Sequence, residues 1–359
     1  MSHDAPEATT EDVLDDLRAR LRAFRPVPVP GGQGWRRGVD PAYLADLVAY
    51  WADSYDWRPH EERIRRLPWT STATRAIDQR SASADAPAVL LLHGWPDSVL
   101  RFERLLPLLT DVHVVVPALP GFPFAAPVAG HGRSADEMAG AVAETMAALG
   151  HDRYVVSAGD VGCDVAEALA ARHPERVAAL HLTDVSQHHF LSGLPADLSE
   201  TERAYVAHGR DWQAREGGYM HEQSTKPHTL AAALGDSPAG LAAWLVEKLR
   251  GWTDCDGDVE SVFTRDELLT WVTAYWVTGS IGTSFTPYAT AGPKPPRVTP
   301  PAVFTIFPRD LVNAPREFAE RFFDVRGWRE EARGGHFAAW EQPDRYAAGV
   351  RDAVHLAAA

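Results

Sequence analysis

Apolar positions recur every three or four residues over 11–24, where Val13, Leu14, Leu17, Leu21 and Phe24 fall on one side of an amphipathic helix. The run Pro26-Val27-Pro28-Val29-Pro30-Gly31-Gly32 breaks it. Asp40-Pro41 then opens a second helix, with an N-cap and a proline at the first helical position, and Leu44, Leu47, Val48, Trp51 and Tyr55 form its apolar face. Residues 71–87 are polar and predict a reduced hairpin or a mobile loop. From 89 the pattern changes. Continuous apolar runs at 89–92, 113–119, 154–157, 177–182 and 302–307 read as strands covered on both faces. Helical patterns alternate with them, one starting at the capping box Ser134-Ala135-Asp136-Glu137 and ending at Gly150, another over 164–172. Alternating β and α units predict an α/β fold with a mostly parallel sheet. Over 186–300 the pattern is helical, an insertion that ends in Pro293-Lys294-Pro295-Pro296. The expected division is 1–87 as an N-terminal segment, 88–185 with 301–359 as the core, and 186–300 as a helical lid.

Composition narrows the function. The chain has 359 residues, 45% hydrophobic and 23% charged, as expected of an ordinary globular enzyme. Its 35 Lys and Arg against 49 Asp and Glu leave a formal charge of −14, which disfavours phosphate backbones and argues against nucleic acid as a partner. No apolar run approaches the roughly 20 residues of a membrane span. The first ten residues are polar and acidic, unlike a secretory signal. Only Cys163 and Cys255 occur, too few for a disulfide framework, and no Cys/His spacing suits zinc. Neither a metal nor an organic cofactor is expected.

The chemistry centres on Ser157-Ala158-Gly159-Asp160-Val161-Gly162-Cys163, a strand, a tight turn and a helix with a carboxylate at the tip. Small residues at 158, 159 and 162 let strand and helix approach closely. This layout resembles the nucleophile elbow of the α/β-hydrolases, with Asp in place of the usual Ser, and an Asp there suits attack on an alkyl carbon to give an ester. The plainer reading is an N-cap. Two further segments favour catalysis. One is His93-Gly94-Trp95-Pro96-Asp97-Ser98 after the 89–92 strand; the other is Gly334-Gly335-His336-Phe337-Ala338-Ala339-Trp340-Glu341, which places the histidine last, as in triads of that fold.

Taken together, the chain resembles the epoxide hydrolases of the microsomal type over nearly its whole length. Trp35-Arg36-Arg37-Gly38-Val39, Tyr55-Asp56-Trp57-Arg58, Gly218-Tyr219-Met220-His221, Ser224-Thr225-Lys226-Pro227, Asp236-Ser237-Pro238 and Phe307-Pro308-Arg309-Asp310 carry the likeness in that order. The resemblance implies an α/β-hydrolase fold with a helical lid and an N-terminal extension. It implies Asp160 as nucleophile, His336 as the base that activates water, and Asp310 as the acid behind it, where several relatives carry Glu. Tyr219 and Tyr288 match the lid tyrosines that donate to the epoxide oxygen, and the amides of Trp95 and Val161 match the oxyanion hole. Microsomal members carry a membrane anchor, whereas this N-terminus points to a soluble, cytoplasmic protein without a membrane partner. The implied partners are water and a small epoxide, apolar or aromatic given Trp212, Trp244, Trp252, Trp271 and Trp276 in the lid segment. The product would be a vicinal diol, in detoxification, catabolism or natural-product biosynthesis; the oligomeric state, a homodimer included, stays open. Val161 where Trp is frequent argues against a haloalkane dehalogenase. Another enzyme alternative is an epoxide-opening cyclase that uses an internal nucleophile; a non-catalytic α/β-hydrolase binding protein would predict a broken triad or missing acid donors, and here every role has a candidate. Asp164, one helical turn after Asp160, is expected to cap or pair elsewhere.

Overall fold

Eight strands form one sheet in the computed structural model, which describes residues 4–127, 133–292, 294–295 and 297–359. Pro293 and Pro296 of the proline-rich return lie outside the described residues. The strands are β1 (Trp69–Ser71), β2 (Arg75–Gln79), β3 (Ala88–Leu92), β4 (His113–Pro117), β5 (Tyr154–Ala158), β6 (Val177–Leu182), β7 (Pro301–Ile306) and β8 (Asp324–Glu330), in the order β1-β2-β4-β3-β5-β6-β7-β8. β3 to β8 run parallel, and the β1–β2 hairpin adds antiparallel to β4. This is the α/β-hydrolase fold. Every residue of β3, β4, β5 and β6 is buried, which is why these strands read as unbroken apolar runs. The hairpin is the reduced one of the two outcomes expected for 71–87: Ala76 and Ile77 are fully buried in β2, and irregular chain leads on to β3.

The helices Ala135–Ala148, Val161–Arg172 and Pro343–Ala358 accompany the sheet, the first with both arms of its capping box in place. Between β6 and β7 the chain is helical. The longer helices there are Glu200–Glu216, Gly218–Thr225, Pro227–Asp236, Pro238–Trp252 and Arg265–Thr278, followed by the short Thr286–Ala289. The N-terminal helices Glu11–Arg22 and Pro41–Asp53 pack on Pro238–Trp252, and Trp57–Arg65 packs on Arg265–Thr278. Tyr50 donates to Asp266 at 2.8 Å, Tyr55 meets Thr270 at 3.1 Å, and Arg20 pairs with Asp236 at 2.7 Å. The N-terminal helices are therefore held against the helices between β6 and β7. Among the described residues no single helix is long and apolar enough to cross a membrane.

Between β5 and the helix Val161–Arg172 the chain turns at Asp160, whose φ of 56° and ψ of −133° are strained for a residue with a side chain. The turn works because Gly159 and Gly162 on either side lack one. A Cβ on Gly162 would stand 2.5 Å from the Leu92 carbonyl oxygen and 2.8 Å from that of His93. Backbone of β3 cannot give way cheaply. Gly162→Ala should therefore destabilise the protein by about 1–3 kcal/mol. Gly140→Ala, in mid-helix with only the tip of Arg172 at 3.7 Å, should instead stabilise it by up to about 1 kcal/mol. Urea unfolding of the two variants measures the contrast.

Candidate active site

Asp160 does not cap the helix it precedes; its side chain makes no capping hydrogen bond. The carboxylate instead faces the turn after β3. Trp95 N–H donates to Oδ1 at 2.8 Å, and Oδ2 lies 3.4 Å from His336 Nε2. The two turns press together closely: a Cβ on Gly94 would stand 2.4 Å from Oδ1. Val161 opens the helix, so its amide has no partner one turn back within it. The two expected oxyanion positions, Trp95 and Val161, thus flank the nucleophile candidate.

His336 is 1% exposed, and its Nδ1 lies 2.7 Å from Asp310 Oδ1, which also accepts from Leu311 N–H at 2.7 Å. The shorter Asp spans the distance to the ring. Burial opposes charge on His336, but the Asp310 and Asp160 carboxylates outweigh it and push its pKa up to about 10. Burial likewise pushes Asp310 up, and the imidazolium, with the Leu311 amide, pulls it below the usual carboxylate range. Asp160, His336 and Asp310 come from three different strand ends, 26 to 176 residues apart in sequence, and meet at one point.

Both candidate tyrosines are buried and line the cleft that Asp160 opens into. Tyr219 stacks on the Trp95 indole with centroids 5.3 Å apart, and Tyr288 meets the same indole edge-on at 6.1 Å. The two phenol rings are 6.0 Å apart. Burial first, then the Asp160 charge, raises both phenols well above their usual range, so each is a neutral O–H donor. Trp252 closes the group, touching Trp95, Tyr219 and the His336 ring.

Comparison with known proteins settles the family. Residues 5–102 match the model of the epoxide hydrolase N terminus, and 87–251 that of the α/β hydrolase fold. A relative from Stigmatella aurantiaca, provisionally named as an epoxide hydrolase, is 37% identical over 96% of this chain and 83% of its own. The chain belongs to the epoxide hydrolases. Epoxide hydrolase 1 of Sus scrofa is 29% identical over 97% of this chain and 87% of its own. Among solved structures, the Aspergillus niger epoxide hydrolase superposes with a TM-score of 0.85 at 27% identity, covering 98% of this chain and 97% of its own. Juvenile hormone epoxide hydrolase of Bombyx mori superposes at 0.87 and 27% identity, covering 98% and 94%.

The epoxide hydrolase cleft is lined by apolar, aromatic and polar side chains. Trp271 is packed among Phe263, Phe337 and Trp340, Trp276 lies beneath Arg20, and Trp212 and Trp244 pack on the core. None of the five tryptophans lines the cleft. The lining is mixed: Asp164, Asp184, Ser186, Gln187 and His188 are polar, and Val161, Val185, Met220, Leu311 and Val312 are apolar. Asp164 pairs with Lys294, which also reaches Glu167 at 3.2 Å. Among the described residues no group of three or more His, Cys, Asp or Glu side chains is disposed to hold a metal ion.

Three supporting carboxylates are not apparent from motifs alone. Glu341 accepts the amides of Asp254, Gly335 and Phe337, each at 2.9 Å, and so fixes the His336 loop against the lid; burial pushes its pKa up to about 7 against the pull of those amides. Asp184 accepts the Asp160 amide at 3.1 Å. Asp97 accepts the Gly94 amide at 2.8 Å and pairs with Arg101, and both side chains are fully buried. Arg101 in turn donates to the His336 carbonyl oxygen. Removing Asp97 strands a buried guanidinium. Asp97→Ala should destabilise the enzyme by about 3–5 kcal/mol, read as a fall in the denaturant midpoint, whereas an exposed partner such as Asp15 should cost under about 1 kcal/mol.

Proposed function

We propose that the enzyme opens a small, neutral epoxide to a vicinal diol in two steps, through an ester on Asp160. The observation that carries this reading is the division of the Asp160 carboxylate, with Oδ1 tied to the Trp95 amide and Oδ2 facing His336 inside the cleft. Oδ2 attacks one ring carbon in line with that carbon's C–O bond, which breaks as the new C–O bond to Asp160 forms. The electron pair goes to the ring oxygen, a poor leaving group unless an acid reaches it. Tyr219 and Tyr288 donate to that oxygen, and one yields its proton. Once the ester forms, the Asp160 charge is gone, so His336 holds its proton less tightly and returns one to the tyrosinate through solvent.

Neutral His336 then takes a proton from water, its tautomer set by Asp310. The hydroxide attacks the ester carbonyl carbon. The oxyanion forms on Oδ1, where the Trp95 and Val161 amides stabilise it. Collapse expels the diol oxygen, which is protonated as Asp160 returns to a carboxylate. The diol thus carries an oxygen from Asp160, and Asp160 carries one from water. The apolar side chains of the cleft would hold the body of the epoxide; the Asp160 and Asp310 carboxylates disfavour a carboxylate-bearing one.

Two sets of variants test the scheme. His336→Gln should form the ester and stall, so intact-protein mass spectrometry with excess styrene oxide should show one substrate mass on Asp160, absent in Asp160→Ala. A folded His336→Gln protein without adduct would overturn the role of His336 as the base of the second step.

Tyr219→Phe and Tyr288→Phe should each slow alkylation, and the double variant by about 10²-fold or more, the roughly 2–4 kcal/mol of a lost donor. Ester hydrolysis should change far less. Because burial raises both phenols, alkylation should show no loss from tyrosine ionisation up to about pH 10, the ordinary phenol value. Pre-steady-state kinetics across pH measure both rates, and a double variant alkylating at the wild-type rate would place the acid elsewhere.

A further inference from the structure

The end of β6 brings a third carboxylate to the site. Asp184 follows β6 directly, lines the cleft, and meets the elbow at two points. Its Oδ2 accepts the Asp160 backbone N–H at 3.1 Å, and its Oδ1 accepts the Cys163 thiol at 2.6 Å. The first contact acts on the one strained residue of the turn: at a φ of 56° the Asp160 amide points away from helix and strand partners, and Asp184 is what receives it. Burial raises the Cys163 thiol well above its usual range, so it remains an S–H donor.

We propose that Asp184 is a positioning residue for the nucleophile and that it works as a neutral carboxyl, holding the Asp160 amide without adding a negative charge beside it. This rests on the two-step reading above. The groups facing Asp184 are Asp160 and Cys163 on the elbow, Asp310, His336, Tyr205 of the lid, and Tyr346 of the last helix. Only His336 among them brings positive charge, and it is already shared by Asp160 and Asp310. Burial, then the Asp310 charge, pushes the Asp184 pKa up to about 7. Both causes favour the neutral carboxyl, which ionises only as pH rises. An ionised Asp184 would oppose the oxyanion that forms on Asp160 during ester hydrolysis, and would hold the proton on His336 when the ring must be neutral. Both effects slow the second step as pH rises.

Asp184→Asn keeps an acceptor for the amide and cannot ionise; Asp184→Ala keeps neither feature. With styrene oxide as the probe, alkylation and ester hydrolysis are followed separately in single turnovers of the full chain. Asp184→Ala should slow alkylation about tenfold or more at every pH, the effect of one lost hydrogen bond on the nucleophile, and Asp184→Asn should slow it less. The ratio of the Asp184→Asn hydrolysis rate to the wild-type rate should climb about tenfold between pH about 6 and about 9. A ratio that does not change with pH overturns the neutral form. Alkylation by Asp184→Ala at the wild-type rate overturns the positioning role. If Asp184→Ala does not fold, the pH dependence of that ratio decides alone. Absence of any Asp160 ester in the wild type overturns the two-step reading and this proposal together, whereas an ester with a flat ratio overturns this proposal only.

Discussion

Everything in the site depends on one carboxylate held by its backbone in a conformation that most residues avoid. Asp160 sits at positive φ because β5 ends and the following helix begins with no residue to spare between them. That geometry costs of order 1–3 kcal/mol, and the surroundings must sustain it. They do so by contact on every side. Gly94 and Gly162 let the β3 turn approach within distances that a side chain would forbid, and a Cβ on Gly159 would stand 2.7 Å from Thr183 Oγ1. Trp95 N–H fixes one carboxylate oxygen, and Asp184 receives the backbone amide. The strain points the side chain out of the sheet, where it is accessible from the cleft and excluded from the helix it would otherwise cap.

Charge in this interior is arranged in linked pairs rather than spread out. Asp310 and Asp160 bracket His336, and Asp97 balances Arg101. Arg101 joins the two systems, because it also donates to the His336 carbonyl oxygen. A change in the β3 turn is therefore felt at the histidine without either group touching the other. Isolated buried charges would be costly, so breaking one pair threatens both the fold and the site. This coupling makes Asp97 and Arg101 part of the geometry around His336.

Legibility from sequence followed physical locality. The central strands and the elbow could be read because burial on both faces writes an apolar run and a tight turn writes small residues. β8 was not visible that way: Asp324–Glu330 is an edge strand with charged residues along it, and its pairing with β7 is what makes it a strand. The triad candidates were readable by resemblance and chain order. Asp184, Glu341 and the Asp164–Lys294 pair were not, since each takes its meaning from a neighbour distant in sequence. The lid tryptophans misled for the same reason. Their composition suggested an aromatic pocket, but four of them pack away from the catalytic group and the fifth, Trp252, buttresses it.

The N-terminal extension changes what the lid can be. Tyr219 and Tyr288 line the same cleft as Asp160, so their position depends on the helices that carry them. Among the polar contacts from the N-terminal helices, the exposed pair Arg20–Asp236 contributes little in water. The stronger hold is apolar. Leu14, Leu17, Leu21, Leu47, Val48 and Trp51 are buried in the same core as the lid residues Leu241, Leu245 and Leu249. Swinging the lid open would expose that surface, at roughly 25 cal/mol for each Å². The helices that carry Tyr219 and Tyr288 are therefore tied to the N-terminal helices through one continuous apolar core. Selectivity then falls to what lines the cleft beside them: the polar segment after β6 and the apolar turn at Leu311 and Val312, both anchored in the core sheet.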